Sequence, residues 1–362
     1  MALSYLLAFL GFSALIILHE LGHFAAAKWV GMRVERFSLF FPPHIWKRTR
    51  GETEYAIGTI PLGGYVRISG MSPHEDLPEE VERRSYLKMP VWKRVLVIFA
   101  GPLVNLVVAL LIFVALFWFV GTVEGTSRVE SVERGSPSVG VLMPGDEIVA
   151  VDGVRGGAAV LRTQIGKHRC AGAQVDGCRA AEPATVLVRR GGELVTLHAT
   201  PRYDAAPKAK RARLGFSFAV EERSYGPIAA TGESAREMWR VTTATVDAIT
   251  RIFYDAQARD QVSGVVGSYE VTRQSIEFDW ARALNILAII SLSLAIVNLF
   301  PFLPLDGGHI FWALAEKLRG RAIPFSVMER ASVVGFVLVI FLFVVGLSND
   351  IDRLRGAGFG TP

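Results

Sequence analysis

The chain has 362 residues, 51% of them hydrophobic, with 39 Lys and Arg against 34 Asp and Glu and a formal net charge of +5. At a mean hydropathy of +0.35, it is too long for one small domain and too apolar for an ordinary soluble enzyme. The modest positive balance reads as membrane topology and not as nucleic-acid affinity, because spanning proteins gather Lys and Arg in cytoplasmic loops and no aromatic-studded basic patch accompanies the charge.

Stretches long and apolar enough to span a bilayer lie at about 2–29, 92–120, 283–300 (irregular backbone continuing to about 315) and 331–348. The first lacks the basic start and small-residue cleavage site of a signal peptide and is expected to be retained. Residues 31–91 carry Arg33, Arg36, Lys47, Arg48, Arg50, Arg83 and Arg84, which places that loop in the cytoplasm. Lys317, Arg319, Arg321 and Arg330 place the 316–330 loop on the same side. Both termini, including the tail 349–362, and residues 122–280 then lie across the membrane.

The first span contains Leu18-His19-Glu20-Leu21-Gly22-His23, with no charged side chain before His19. The helical period sets His19 and His23 one turn apart on one face, a spacing at which two imidazoles share a zinc ion. In the H-E-x-x-H arrangement the glutamate is not a ligand: Glu20 takes a proton from water whose pKa the zinc brings to about 7. A lone His on an apolar face is usually structural. Two His and a Glu at membrane depth are different, since an ionisable group there costs about 3 kcal/mol and survives mainly for function. At 1.5 Å per residue, His19 sits about 25 Å from the outer end of its helix.

In the following loop, Tyr55 to Ile68 is β-prone and punctuated by Pro and Gly, so short strands with a turn at Gly63-Gly64 are expected. Such strands either offer an edge to an extended substrate, making Gly63, Gly64 and Tyr65 candidate binding residues, or form a hairpin packed on the membrane. The second span opens on Trp92-Lys93-Arg94, an interfacial anchor, and continues through Gly101-Pro102, which lets a neighbouring helix approach. Asn105, a lone amide in an apolar span, needs an internal partner, in helix packing or on a substrate backbone.

Beyond Val120 the composition becomes soluble. Pro144-Gly145-Asp146-Glu147-Ile148-Val149-Ala150-Val151-Asp152-Gly153 reads as a turn and a buried strand, and residues 184–200 as two strands joined at Gly191-Gly192. The G-D-x-I-x-x-V-x-G pattern resembles a PDZ domain of the bacterial envelope-protease type over about 124–220, which implies a groove beside a strand for an extended peptide or chain terminus. The alternative is a PDZ-like plug over the membrane site. Cys170 and Cys178 are the only cysteines. On the outer face of a membrane they suit a disulfide, with a metal pair beside His168 as the alternative. From Tyr225 to Asp255 an amphipathic helix is expected on the membrane surface or under the soluble domain. Ser263-Gly264-Val265-Val266-Gly267 reads as a flexible break with no chemistry.

The third span ends in Asn298-Leu299-Phe300-Pro301-Phe302-Leu303-Pro304-Leu305-Asp306-Gly307-Gly308-His309. Backbone broken at membrane depth is tolerated only where protein or a wet cavity satisfies it. Zincins need a third protein ligand, and Asp306 is the candidate, His309 the weaker one. Asn298 could donate to a scissile carbonyl or its oxyanion.

Together, H-E-L-G-H at 19–23, G-G-Y-V-R at 63–67, W-K-R-V-L-V-I-F-A-G-P-L-V-N at 92–105, the PDZ-like insert and N-L-F-P-F-L-P-L-D-G-G at 298–308 resemble the site-2 protease family of intramembrane zinc metalloproteases, in the bacterial sigma-factor-regulating branch. The resemblance implies a polytopic α-helical membrane protein with four transmembrane helices, a periplasmic α+β PDZ-like insert and a membrane-associated β-hairpin loop. It implies one zinc on residues matching His19, His23 and Asp306, a base matching Glu20, and location in the bacterial inner membrane with both termini periplasmic. The implied substrate is a single-span membrane protein, typically an anti-sigma factor already trimmed in the periplasm, with the PDZ part as a size filter and lipid as a further partner. Two departures stand out: one PDZ-like unit where well-known members carry two, and Val265-Val266 where Pro-Val is usual after Ser-Gly. A membrane-embedded PDZ adaptor with structural zinc is the runner-up, but structural sites are normally closed by four protein ligands and three are evident here. Ion transport would call for more intramembrane charges.

Overall fold

The structure is a computed structural model, and residues 2–72, 75–206 and 210–356 are described. The chain divides into two compact units, one made of the segments up to Val120 and from Tyr225 onward, the other of Gly121–Ser224.

In the first unit, α1 (Ala2–Trp29) leads into β1 (Val34–Arg50) and β2 (Thr53–Ile68). A short helix α2 (Glu79–Glu82) and a 3-10 turn at Tyr86–Lys88 then precede α3 (Val91–Phe119). After the insert come α5 (Pro227–Arg251), α6 (Ala256–Gln261), α7 (Val265–Phe278), α8 (Trp280–Asn298), α9 (Asp306–Arg319) and α10 (Phe325–Arg355). Among the described residues, four helices are long and apolar enough to cross a membrane: α1, α3, α8 and α10. The protein is therefore membrane-embedded, with a β-rich insert. The last helix begins earlier and ends later than the expected 331–348, so most of the expected 316–330 loop is helical and only the segment between Arg319 and Phe325 links the two helices.

Close approach of α1 and α3 is written in their glycines: a Cβ on Gly22 would stand 2.6 Å from the Ala100 carbonyl oxygen. Ala26 and Ala27 of α1, and Val30 just beyond its end, bury against Val97 and Ile98 of α3, with Val34, Ile68 and Tyr86 closing that core. Further along α3, Ala109 and Phe113 pack with Ala288 and Leu292 of α8 and Val241 of α5. The amphipathic helix thus lies against two spans of its own unit, and its Trp239 points outward at 71% exposure. Arg94, 4% exposed, is not an interfacial anchor: it forms a two-pronged ion pair with Glu316 of α9, at 2.7 and 3.0 Å.

The β-hairpin turns at Gly51-Glu52 and not at Gly63-Gly64, which lie inside β2. The register shifts repeatedly within this antiparallel pair, so that Phe37 stands opposite both Val66 and Tyr55, and Leu39 opposite both Gly64 and Ile57. The first half of β1 therefore lies between the two halves of β2, leaving residues 64–68 along one edge. Glu52 accepts from Lys28 and Arg84, each at 2.8 Å. Those bonds, Arg84 first, pull its carboxyl down to about 2 and tie the turn to the end of α1.

Ser263 to Gly267 is not a flexible break. Gly264 caps α7, and the Asp350 carboxylate of α10, fully buried, accepts from the Gly264 and Gly267 N–H groups at 3.0 and 2.7 Å. Asn349 donates to the Arg259 and Val262 carbonyls at 2.6 and 2.9 Å, so the end of α10 is clamped to α6 and α7.

The insert runs β3 (Thr122–Val132), β4 (Glu147–Val151), β5 (Val154–Arg155), α4 (Ala158–Gly166), β6 (Ala184–Arg190), β7 (Glu193–Ala199), β8 (Arg202–Asp204), β9 (Arg211–Arg213) and β10 (Phe216–Arg223). Its main sheet has the order β10-β3-β4-β6-β7, with β5 off β4 and β8-β9 as a separate pair. Gly191 and Gly192, both at positive φ (59° and 93°), make the β6-β7 turn that side chains would strain. Leu161 and Ile165 of α4 pack on Val129, Ile148, Val186, Val188, Leu214 and Phe218. Asp146, 2% exposed, accepts two bonds from Arg190 and the Met143 N–H. The Arg190 bonds hold its carboxyl below the usual range. A depressed folded-state pKa stabilises above the unfolded value, about 3.9, and that stability is lost as pH falls below it. Asp146→Ala, which leaves Arg190 without its buried partner, is expected to destabilise the insert by about 3 kcal/mol. Amide exchange of β4 and β6 in the full chain reads the loss, and an unchanged exchange rate would disprove it.

Candidate metal centre

His19, Glu20 and His23 project from the middle of α1, where the helical period stacks the two imidazoles one turn apart. Both rings are buried, at 7% exposure each. The third member comes from the far end of the chain. The segment from Leu299 to Leu305 is not helical, and Asp306 is the first residue of α9, a position where the helix dipole favours a carboxylate. The glycines after it permit this arrangement: a Cβ on Gly307 would overlap the Leu299 carbonyl, and one on Gly308 would lie 2.5 Å from the Leu303 nitrogen. The loop can therefore fold back over the start of α9 only if both positions lack side chains.

The Nε2 atoms of His19 and His23 are 3.2 Å apart, and Asp306 Oδ2 is 3.3 and 3.4 Å from them. A tetrahedral zinc ion with bonds of about 2.0–2.1 Å sets its ligand atoms about 3.3–3.4 Å apart, so the triangle has the size of three vertices of that tetrahedron. Asp306 Oδ2 is buried without a hydrogen-bond partner, the condition of an atom whose partner is an ion. His23 Nδ1 lies 2.9 Å from the Val97 carbonyl, which fixes the proton on Nδ1 and leaves Nε2 free to coordinate. The residues fit zinc on size, charge and tautomer. Among the described residues these three are the group able to hold a metal ion. His309 is not in it and sits 6.4 Å, ring to ring, from Tyr86.

Gly101 explains the glycine before Pro102. A Cβ there would overlap His23 Nε2 and come within 2.5 Å of Cε1, so the ring occupies the space that a side chain on α3 would fill. Asn298, the last residue of α8, reaches His19 Nε2 with its carboxamide nitrogen at 3.5 Å and so borders the coordinating side. Asn105 does not. It is fully buried behind the ring, 3.3 Å from His19 Nδ1, which corrects its candidacy as a substrate-binding residue.

Gly64 runs past Glu20: a Cβ on Gly64 would be 3.2 Å from Glu20 Cγ and 2.8 Å from the Ser38 carbonyl. Gly63 lies under the Phe41 ring, where a Cβ would be 2.7 Å from Cε2. The Tyr65 hydroxyl is engaged by Arg36 at 3.1 Å and lies 3.3 Å from His44, so of residues 63–65 it is the glycine backbone that faces the site. In the insert, Cys170 and Cys178 are joined as a disulfide with Cα atoms 6.1 Å apart. Sequence reasoning missed Val97, whose part is played by a backbone carbonyl. It also missed Arg94 and Glu316, whose pairing needs the fold.

The chain matches the family described as Peptidase family M50 over residues 7–342. It is 30% identical over 366 residues to a provisionally named zinc metalloprotease of Rhizobium meliloti (strain 1021), with 94% of each chain covered. It is 31% identical over 381 residues to zinc metalloprotease Rip1 of Mycobacterium tuberculosis, covering 93% of this chain and 94% of that one. A provisionally named zinc metalloprotease of Campylobacter jejuni is 27% identical over 366 residues, covering 98% and 95%.

Proposed function

Because this chain belongs to peptidase family M50, the site-2 protease family of zinc metalloproteases, we propose that it hydrolyses a peptide bond in or beside the transmembrane segment of a single-span membrane protein. The observation that carries this reading is the meeting of His19, His23 and Asp306 on helices apolar enough to span. A zinc ion held by these three side chains supplies Lewis-acid polarisation of a carbonyl and lowers the pKa of water to about 7. Glu20, next to one ligand and beside the strand at Gly64, is the base that takes the attacking water's proton and delivers it to the departing amine. Asn298 is the donor toward the carbonyl oxygen as charge develops there.

A helical span hides its carbonyls, so a substrate must be unwound before it is cut. The edge at 64–68, beside Glu20, suits this need: it can pair with an extended segment through main-chain hydrogen bonds. The insert, taken as PDZ-like and periplasmic, offers a second edge. There β10 borders the sheet near Leu161 and Ile165 of α4, and Arg162 lies over the Phe218 ring at 5.6 Å. That edge suits a periplasmic peptide or tail. The substrate class we favour is an anti-sigma factor trimmed beforehand, cut in the bacterial inner membrane as a step of regulated intramembrane proteolysis.

The test places the full chain in phosphatidylethanolamine and phosphatidylglycerol liposomes with single-span proteins bearing full or trimmed outer tails, and maps the cut by mass spectrometry. Cleavage inside the span, faster for the trimmed form, is expected. Cuts confined to the tail would overturn the intramembrane reading, and equal rates would overturn the requirement for trimming.

A further inference from the structure

The hairpin reaches the centre with one edge and turns the other away from it. Its register fixes the strand order as residues 64–68, then 34–39, then 53–57, then 44–50. Residues opposite one another share a face, and side chains alternate along each strand. One face therefore carries the row Leu39, Ile57, Trp46 and beside it the row Phe37, Tyr55, Arg48, with Arg50 two residues beyond Arg48. These side chains line a groove of about 460 Å³, within the range of about 300–1,000 Å³ typical of small-molecule sites.

The depth of this groove is set by α1, to which the hairpin is tied at both ends. Leu39 stands opposite Gly64, which runs against Glu20. The turn at Gly51-Glu52 is bonded to Lys28. Between them Phe24 packs on Phe37 and Tyr55, with ring centroids 5.2 and 6.0 Å away. From Glu20 to Lys28 the helix rises about 12 Å, and from Trp46 to Arg50 the strand advances about 13 Å. The apolar row thus sits at the level of Glu20, and Arg50 at the level where the span ends. A phospholipid has the same order, hydrocarbon inside and phosphate at the boundary.

Charge points the same way. Arg36, Arg67 and Arg84 each meet a carboxylate, on Glu54, Glu35 and Glu52. Among the described residues Arg48 and Arg50 meet none, and no acidic side chain lines the groove. A guanidinium facing lipid without a partner is costly, whereas on a phosphate it forms parallel charge-assisted bonds. We propose that this face of the hairpin binds one anionic phospholipid, its phosphate held by Arg48 and Arg50 and an acyl chain laid along Phe37, Leu39, Trp46 and Ile57. A headgroup bearing an ammonium would bring a third cation to the two arginines, so phosphatidylglycerol is preferred to phosphatidylethanolamine. The lipid and the edge at 64–68 occupy opposite ends of one sheet, and the bound lipid holds the depth at which Gly64 passes Glu20. The proposal rests on the chain being embedded in a membrane and not on the hydrolytic reading.

The experiment equilibrates the full chain, in micelles of a neutral detergent, with either phospholipid and counts the retained lipid by native mass spectrometry. Wild type is expected to keep one phosphatidylglycerol. Arg48→Gln/Arg50→Gln should bind it about thirtyfold more weakly, the effect of removing two cations that face an anionic headgroup. Arg319→Gln/Arg321→Gln, which removes two exposed cations at the end of α9, should bind as wild type does. Equal loss in the two double variants, or equal retention of phosphatidylethanolamine, would overturn the proposal, since either shows attraction without a site. Displacement by inorganic phosphate would make the groove a plain anion pocket, and displacement by a single-span substrate would give the face to the substrate; both overturn it. Should the hairpin variant not fold, Trp46 reports the position. Phosphatidylglycerol with brominated acyl chains should quench a part of the tryptophan emission that Trp46→Phe lacks, and identical fractional quenching of the two proteins would overturn the proposal.

Discussion

Glu20→Gln is expected to abolish peptide hydrolysis while leaving the bound metal in place. The carboxamide keeps the shape of the carboxylate but cannot take a proton, and a positioned general base contributes about 10²–10⁴-fold. His19, His23 and Asp306 do not depend on Glu20 for their mutual spacing, which is set by one turn of α1 and by the start of α9. Zinc content by atomic absorption and cleavage of a single-span substrate, measured on the same preparation, separate the two effects. A variant that loses its zinc along with its activity would make Glu20 a structural part of the site. One that cleaves at the wild-type rate would remove it from the chemistry.

Gly101→Ala should be nearly as damaging although it adds one methyl group and touches no ligand covalently. That methyl would occupy the position of His23 Nε2 and lie 2.8 Å from Cδ2. Neither helix can easily give way. Nδ1 of the ring is held to Val97 on α3, the helix that carries Gly101, and the two helices already meet at Gly22 and Ala100. The ring must leave its coordinating position or α1 and α3 must part, an overpacking expected to destabilise the fold by about 1–3 kcal/mol and to weaken zinc by at least tenfold. Gly232→Ala in α5 is the control. Its Cβ would meet only the end of Arg236 at 4.0 Å, so stability should hold or rise by up to about 1 kcal/mol. Chelator competition and thermal unfolding of both variants decide the matter: equal zinc affinity for the two would show that His23 does not need the space.

The spans and the family were legible because their signals are local. Eighteen or more apolar residues need no partner to be recognised, and a His pair one turn apart declares its chemistry within five residues. What escaped was whatever depends on a distant neighbour. Gly63 and Gly64 looked like a turn because glycines usually mark one. They are glycine because the Phe41 ring, the Ser38 carbonyl and Glu20 leave no room for a Cβ, while the true turn falls at Gly51-Glu52. Ser263 to Gly267 looked loose because its fastening, Asp350, lies some eighty residues on. Asn105 advertised a need for a partner, but which side of His19 it would occupy is decided only when α1 and α3 dock.

The centre also imposes an order on biosynthesis. Its imidazoles are contributed by α1 and its carboxylate by the first residue of α9. At about 5–20 residues per second, the ribosome finishes the His pair roughly 15–55 s before it reaches Asp306. A nascent or truncated chain in that interval can offer an ion only the His pair, too few for the three-ligand site a hydrolytic zinc requires. Proteolytic competence is thus withheld until the third span has been threaded and its loop folded back. The ligand set is therefore complete only near the end of translation, and an unfinished copy lacks one of its three side chains.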